Sequence, residues 1–346
     1  MGFIKRSIAV LGAGALLLGA AACSGSSTPK ANAGGNATEL RLGYFPNITH
    51  ASAIYGVSSG IFQKDLGSTK LSTKTFNAGP AAIEALRGGA LDAAFLGPNP
   101  AINGFTQTGG TLLRIVAGTT SGGAGLVVQP DITDVKQLAG KKVSTPQVGN
   151  TQDVAAKYYF KQKGVNANVT TVANSDVIDA FKSKSISGAW VPEPYLSRLV
   201  LEKGGTKLVD EETLWPGGKF VTTQLVVTQK FLKAYPTTVE NLLKGLIEAT
   251  DKVATKSPDV EKAVNDAIKG LTGKSLKPDV LAAAFTGLTP TLDPIASSLA
   301  TNAEHGVEVG ATKKADLKGI YDLTILNKLL KAAGKPEVDD AGLGVS

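Results

Sequence analysis

The feature that most constrains the fold of this chain is a unit that occurs twice. Asn77 to Pro100, NAGPAAIEALRGGALDAAFLGPNP, reads as a helix opened by Pro80, a stop at Gly88-Gly89, an apolar strand from Leu91 to Leu96 and a turn at Gly97-Pro98-Asn99-Pro100. A weaker copy, IDAFKSKSISGAWVPEP from Ile178 to Pro194, lies 95 positions on and repeats the helix, breaker, short strand and Pro-X-Pro turn. Two such units predict two similar lobes, each offering a loop from the carboxyl end of its sheet. Ligands of open α/β sheets bind at that edge. The pattern therefore predicts a cleft with Asn99 on one wall and Glu193 on the other.

The remaining segments fit this plan. Glu39 to Phe45 reads as a first strand, and Asn47 or Thr49 caps a helix from about His50 to Phe62. Strands are expected at Leu71 to Phe76, Leu112 to Ala117, Leu126 to Gln129, Lys141 to Thr145 and Val169 to Ala173. The stretch GTTSGGAG is the first candidate crossover between lobes, and FVTTQLVVT is the return. Strands alternating with helices argue for parallel sheets built from βαβ units. From Lys230 the pattern turns to helix upon helix, expected to pack on the first lobe. The domain reading is residues 39–120 with 222–346 as lobe 1, and 121–221 as lobe 2. A chain of 346 residues can bury two cores.

At the start, Lys5 and Arg6 precede an uncharged run ending in Ala20-Ala21-Ala22-Cys23, too short for a membrane span and patterned as a secretory signal over residues 1–22. The single cysteine stands where a lipoprotein signal places its acylated residue, although Ala20 replaces the usual leucine; a plain secretory signal is the alternative. Residues 23–38 are polar, rich in Gly, Ser and Ala, and read as a flexible tether. The expectation is a protein hung outside the cell membrane by lipid on Cys23. With that thiol consumed, disulfides, zinc-thiolate sites and cysteine nucleophiles are excluded. Net charge is +7, or +5 once Lys5 and Arg6 leave, and it is spread as scattered lysines. That distribution does not favour nucleic acid.

The pocket chemistry follows from helix starts. Asn47 to His50, Gly79-Pro80, Asn99-Pro100 and Asn150-Thr151 each leave unpaired backbone N–H groups at a positive dipole end. Converging on one cleft, these would hold a small anion with no lysine or arginine. Asn47, Thr49, Asn99, Asn150 and Thr151 serve equally well as helix caps, and His50 as a shield for its helix terminus. Thr119, Thr120 and Ser121 read as either crossover linker or anion contacts, and Gln152 as a contact or a solvent-facing amide. Asp153 suits its helix dipole. Glu193, if it lines the cleft, favours a ligand with a cation or hydroxyl at its far end; turned outward, it pairs with Arg198 or meets a partner. Trp190 is a candidate for stacking on a ligand tail, with a place in the core as the alternative.

The ordered motifs RLGYFPNITHA, FNAGPAAIEAL, LDAAFLGPNPAI, GKKVSTPQVGNTQDVA, GAWVPEPYLSRL and WPGGKFVTT, spread over Glu39 to Ala249, carry a family resemblance. The chain resembles bacterial ABC-importer substrate-binding proteins, in particular the group serving aliphatic sulfonates, taurine and nitrate. The resemblance implies an α/β, two-lobed periplasmic-binding-protein fold of type II. Each lobe would hold a mostly parallel sheet flanked by helices, with two crossover strands and a helical C-terminal tail on lobe 1. It also implies a monomeric receptor, with no metal or cofactor, that closes on a small anionic solute and docks on a membrane permease driven by a cytoplasmic ATPase. An aliphatic sulfonate is the leading cargo. Taurine, nitrate, or an aromatic carboxylate or thiamine-precursor pyrimidine stacking on Tyr44, Phe45, Trp190 and Trp215 are the alternatives. An enzyme on this fold is disfavoured, because the pyrimidine-synthesising relatives carry a cysteine-rich motif absent here and only His50 and His305 supply imidazole. The expected ligand set is Asn47, Thr49, His50, Gly79, Asn99, Thr120, Ser121, Asn150, Thr151, Gln152, Trp190 and Glu193.

Overall fold

The computed structural model describes residues 35–345; the signal sequence, Cys23 and most of the tether lie outside the described residues. Eleven strands follow in chain order. They are β1 (Glu39–Tyr44), β2 (Lys70–Thr75), β3 (Ala93–Leu96), β4 (Leu113–Gly122), β5 (Ala124–Val128), β6 (Lys142–Thr145), β7 (Asn168–Thr171), β8 (Gly188–Pro192), β9 (Thr206–Asp210), β10 (Val221–Thr228) and β11 (Leu288–Pro290). They form a six-stranded sheet ordered β11-β4-β10-β3-β1-β2 and a five-stranded sheet ordered β7-β6-β8-β5-β9. Reading outward from β4 and from β9, the orders 4-10-3-1-2 and 9-5-8-6-7 match strand for strand. The repeated sequence unit thus occupies equivalent places, with β3 and β8 each lying between a parallel partner and a reversed strand.

The sheets are mixed, and the connection between them explains how. β1, β2 and β3 run parallel, as do β6, β7 and β8, each joined through helices. β10 is antiparallel to both of its neighbours, and so is β5. Both enter their sheet directly from the other one. A strand arriving across the gap enters at the carboxyl edge of its new neighbours and must run against them. β11, antiparallel to β4, is a short edge strand in the region expected to be wholly helical.

The first crossing is tighter than the sequence predicts. GTTSGGAG does not form a linker: β4 continues through Thr119, Thr120 and Ser121, because β10 and β11 supply a hydrogen-bond ladder on both sides. Only Gly123 separates β4 from β5. Gly122 and Gly123 have φ of 77° and 75°, a left-handed turn that glycine adopts without strain.

The first sheet and its helices share one core. Helix Pro236–Ala254 contributes Val239, Leu242, Leu243, Leu246 and Val253, a stripe at helical spacing. The second sheet is covered on both faces, so its central strands β5 and β8 are apolar and buried throughout. Leu126, Val128 and Trp190 face one side, while Val127, Ala189 and Val191 face the other, with the two-residue period of a strand. Complete burial of side chains of this size stabilises the fold by roughly 1.5–3 kcal/mol each. Besides β11, the helical tail departs from expectation in a second respect. Helix Ala296–Glu308 touches the second lobe as well as the first: His305 stacks on Tyr158 at 3.5 Å, and Glu308 receives bonds from Lys161 and Gln162.

Candidate ligand-binding site

A small cavity lies where the carboxyl edges of the two sheets meet, and it leaves about 20 Å³ for the centre of a water-sized sphere. One wall comes from the loop after β1, with Phe45, Asn47, Thr49 and His50. Asn77 follows β2, Gly97 follows β3, and Thr222 and Thr223 belong to β10. The opposite wall is Asn150, Thr151 and Gln152 after β6, Asn174 after β7 and Pro192 at the end of β8. No charged side chain lines the cavity, apart from the titratable His50.

The polar groups are arranged so that donors are left over. Thr49 Oγ1 donates to Asn47 Oδ1 at 2.9 Å, which occupies the amide oxygen and leaves Asn47 Nδ2 available. Asn150 Nδ2 donates to Gln152 Oε1 at 2.8 Å, which leaves Gln152 Nε2 in the same state. His50 Nδ1 accepts from the Phe45 N–H at 3.3 Å, and burial holds the imidazole down at about 3. It is therefore neutral, with its proton on Nε2. The Thr151 and Thr223 hydroxyls are buried without a partner. Thr151 and Gln152 open helix Thr151–Gln162, so their backbone N–H groups have no acceptor within it. Among the described side chains that line the cavity, Asn174 Oδ1 is a buried amide oxygen without a partner.

The two walls nearly touch. Asn174 Nδ2 donates to the Asn77 carbonyl at 3.4 Å. A Cβ placed on Gly97 would lie 2.3 Å from Thr151 Oγ1, so only glycine permits this approach.

Of the residues expected from sequence, Asn47, Thr49, His50, Asn150, Thr151 and Gln152 line the cavity. The others do not, and each has a physical reason. Asn99 lies within helix Pro98–Thr106, and its amide donates to the Asn302 carbonyl at 3.1 Å, away from the gap. Gly79 is beside the gap, but its α-carbon faces Pro100 of its own lobe. Thr120 Oγ1 donates to the Thr49 carbonyl at 2.7 Å and so positions a wall residue instead of forming the wall. Ser121 is occupied in the ladder with β11. Trp190 is fully buried in the second lobe, its indole N–H donating to Glu211 Oε2 at 2.7 Å. Glu193 folds back to accept from the N–H and hydroxyl of Ser197 at 3.1 and 2.8 Å, while Arg198 pairs with Glu202. Burial pushes the Glu193 carboxyl up to about 7, with the Ser197 bonds and Lys207 opposing the rise and Asp210 adding to it. Asp153 caps its own helix region, accepting from the Gly149 N–H and pairing with Lys157.

Sequence reasoning missed Asn77, Gly97, Asn174, Thr222 and Thr223 as wall residues. Two signals pointed to them: a Thr-Thr-Gln run inside an otherwise apolar central strand, and asparagines after β2 and β7 in corresponding loops.

The comparisons with known proteins agree with this architecture. The taurine-binding periplasmic protein of Escherichia coli (strain K12) is 26% identical over 201 residues, covering 58% of this chain and 62% of that protein. The match thus spans less than two thirds of that relative's length. The alkanesulfonate-binding protein SsuA of Xanthomonas axonopodis pv. citri, solved bound to MOPS, superposes with a TM-score of 0.68 at 18% identity, covering 81% of this chain and 96% of that one. The periplasmic nitrate-binding protein NrtA of Synechocystis PCC 6803 superposes with a TM-score of 0.74 at 15% identity, covering 88% and 91%. At these identities the solved structures establish a common fold. The family model that matches residues 33–268 covers most of the chain, and on that ground the protein belongs to the NMT1-like family.

Proposed function

We propose that the protein is the extracytoplasmic solute receptor of an ABC importer, and that its cargo is a small organic anion, an aliphatic sulfonate first among them. The observation that carries this reading is the surplus of neutral donors facing one cavity from both lobes, with no carboxylate among them. Hydrogen-bond donors and a helix N-terminus stabilise an oxyanion without a full counter-charge. Because the donors are divided between two walls, only the closed form makes all the contacts, so binding and closure become one equilibrium. The small volume fits a compact head group. Calorimetry against ethanesulfonate, taurine, nitrate and sulfate tests the assignment. Saturable binding of ethanesulfonate is expected, and no heat from any of the four would remove the anion reading.

An aminosulfonate such as taurine is the second reading, favoured by one atom. Asn174 Oδ1 is a buried acceptor with no partner, which an ammonium group on the cargo would satisfy. Asn174→Ala would then weaken taurine about tenfold more than ethanesulfonate; equal losses would remove this reading.

Delivery would be to a membrane permease with its cytoplasmic ATPase, from an anchor at acylated Cys23. The anchor is motivated by the basic and apolar run that ends at that cysteine. Cys23→Ala should move the protein from the membrane fraction to the soluble one, and unchanged fractionation would argue against lipid attachment.

A further inference from the structure

A second compartment lies one helical turn beyond the donor-lined cavity, and the anion reading makes no use of it. Helix Thr151–Gln162 lines the first cavity with Thr151 and Gln152, then lines the second with Ala155, Tyr158, Tyr159 and Gln162. These positions fall on one continuous face at helical spacing. The rest of the second compartment comes from two other elements: Trp215, in the segment between β9 and β10, and His305, on helix Ala296–Glu308. Its volume is about 190 Å³. A space of about 150 Å³ admits benzene, so this cleft is large enough for one ring.

The walls are aromatic and already ordered. Tyr158 and His305 stack at 3.5 Å with planes 15° apart, Trp215 lies 5.6 Å from His305, and Trp215 stacks on Phe220 at 5.4 Å. The Lys163 ammonium sits 5.6 Å from the Tyr159 ring centre at the rim. At the base, the Glu211 carboxylate is capped by the Trp190 indole N–H, which fixes the floor. Flat, preformed π-surfaces select a planar ring, and between the Lys163 ammonium at the rim and the Glu211 carboxyl at the base an uncharged ring is the best match.

We propose that this compartment is a binding subsite for a single uncharged aromatic ring. Its walls come from both lobes and from the segment joining them, so a ring bound there stabilises the closed form, as a ligand in the first cavity does. Two ligands that favour the same state tighten each other's binding. The ring has two possible sources: a separate molecule, or the tail of an arenesulfonate whose head group occupies the first cavity, an option that rests on the anion reading.

The experiment is calorimetry on the mature protein with phenol, benzenesulfonate and ethanesulfonate, singly and in pairs. It uses the wild type and two variants: Ala155→Leu, which fills the compartment, and Tyr158→Ala, which removes a wall at a half-buried site. Thermal melts report whether each variant is folded. A separate-ring site requires phenol to bind, ethanesulfonate to tighten it at least threefold, and Ala155→Leu to weaken it at least tenfold. A tail subsite requires benzenesulfonate to bind at least tenfold tighter than ethanesulfonate, with that advantage lost in Ala155→Leu and in Tyr158→Ala. If ethanesulfonate binds while both aromatic probes are unaffected by either substitution, or fail to bind, the inference is overturned and the anion reading stands. If ethanesulfonate fails while phenol binds in a variant-sensitive way, the anion reading falls and the aromatic subsite stands.

Discussion

At Gly97 a single hydrogen atom decides how closely the lobes approach. Its φ of −79° is open to any residue, so alanine would not strain the backbone. The added Cβ would meet Thr151 Oγ1 at 2.3 Å and the Thr222 carbonyl at 3.3 Å. Gly97→Ala should therefore hold the walls apart and weaken anion binding about tenfold, roughly 1.4 kcal/mol, with little change in Tm; calorimetry beside a thermal melt checks this, and unchanged affinity would show that closure does not pass through this contact. Gln152→Glu tests the charge logic with almost no change in shape. It places a carboxylate among the donors, and like charges facing each other cost several kcal/mol, so sulfonate affinity should fall at least a hundredfold. The donor-bearing residues Asn47, His50, Asn150 and Gln152 were legible in the sequence because they follow the equivalent strands β1 and β6, where a helix start coincides with the carboxyl edge. Asn99 and Glu193 were misread for a local reason. Proline opens a helix at Pro98, which turns Asn99 toward a neighbouring helix and leaves Gly97 at the edge, and the Glu193 carboxylate finds its donors on Ser197, at the start of its own helix.

At the scale of elements, the repeat was more informative than the motif that revealed it. The loops after β2 and β7 are equivalent in the two sheet orders, and their asparagines, Asn77 and Asn174, meet across the gap. Carrying the repeat one loop further back would have identified both. What sequence could not supply was long-range placement. Helix Ala296–Glu308 has an apolar stripe that any core could cover, and nothing in its pattern says that its far end reaches the second lobe. Its polar link there, Glu308 with Lys161 and Gln162, is exposed. Exposed pairs contribute about 0–1 kcal/mol and are screened by salt. Glu308→Ala should accordingly weaken ligand binding less than fivefold at low salt and have no effect at about 0.5 M salt, where the Debye length falls well below 10 Å. A larger loss, or one insensitive to salt, would mean that the helix acts through its His305 stack instead.

For the whole molecule, the buried Glu193 carboxyl couples pH to stability. Its folded value of about 7, raised by burial, lies above the ordinary 4.5. Below pH 4.5 the carboxyl is neutral in folded and unfolded chains alike and costs nothing. Between 4.5 and 7 the unfolded chain ionises first, so stability falls as pH rises, by about 1.4 kcal/mol per unit, and levels off above 7. Glu193→Gln keeps the shape without the charge. It should match the wild type in urea melts at pH 4 and exceed it at pH 8 by up to about 3 kcal/mol, measured as a difference so that other titrating groups cancel. The same ionisation bears on binding, since Pro192, the adjacent residue, lines the cavity. As pH rises through 7 the wild type gains a negative charge beside a site built from donors, and its affinity for a sulfonate should drop severalfold. In Glu193→Gln the affinity should stay flat from pH 6 to 8. A variant that becomes more stable yet keeps the wild-type pH dependence of binding would separate the two effects and place the titrating group elsewhere.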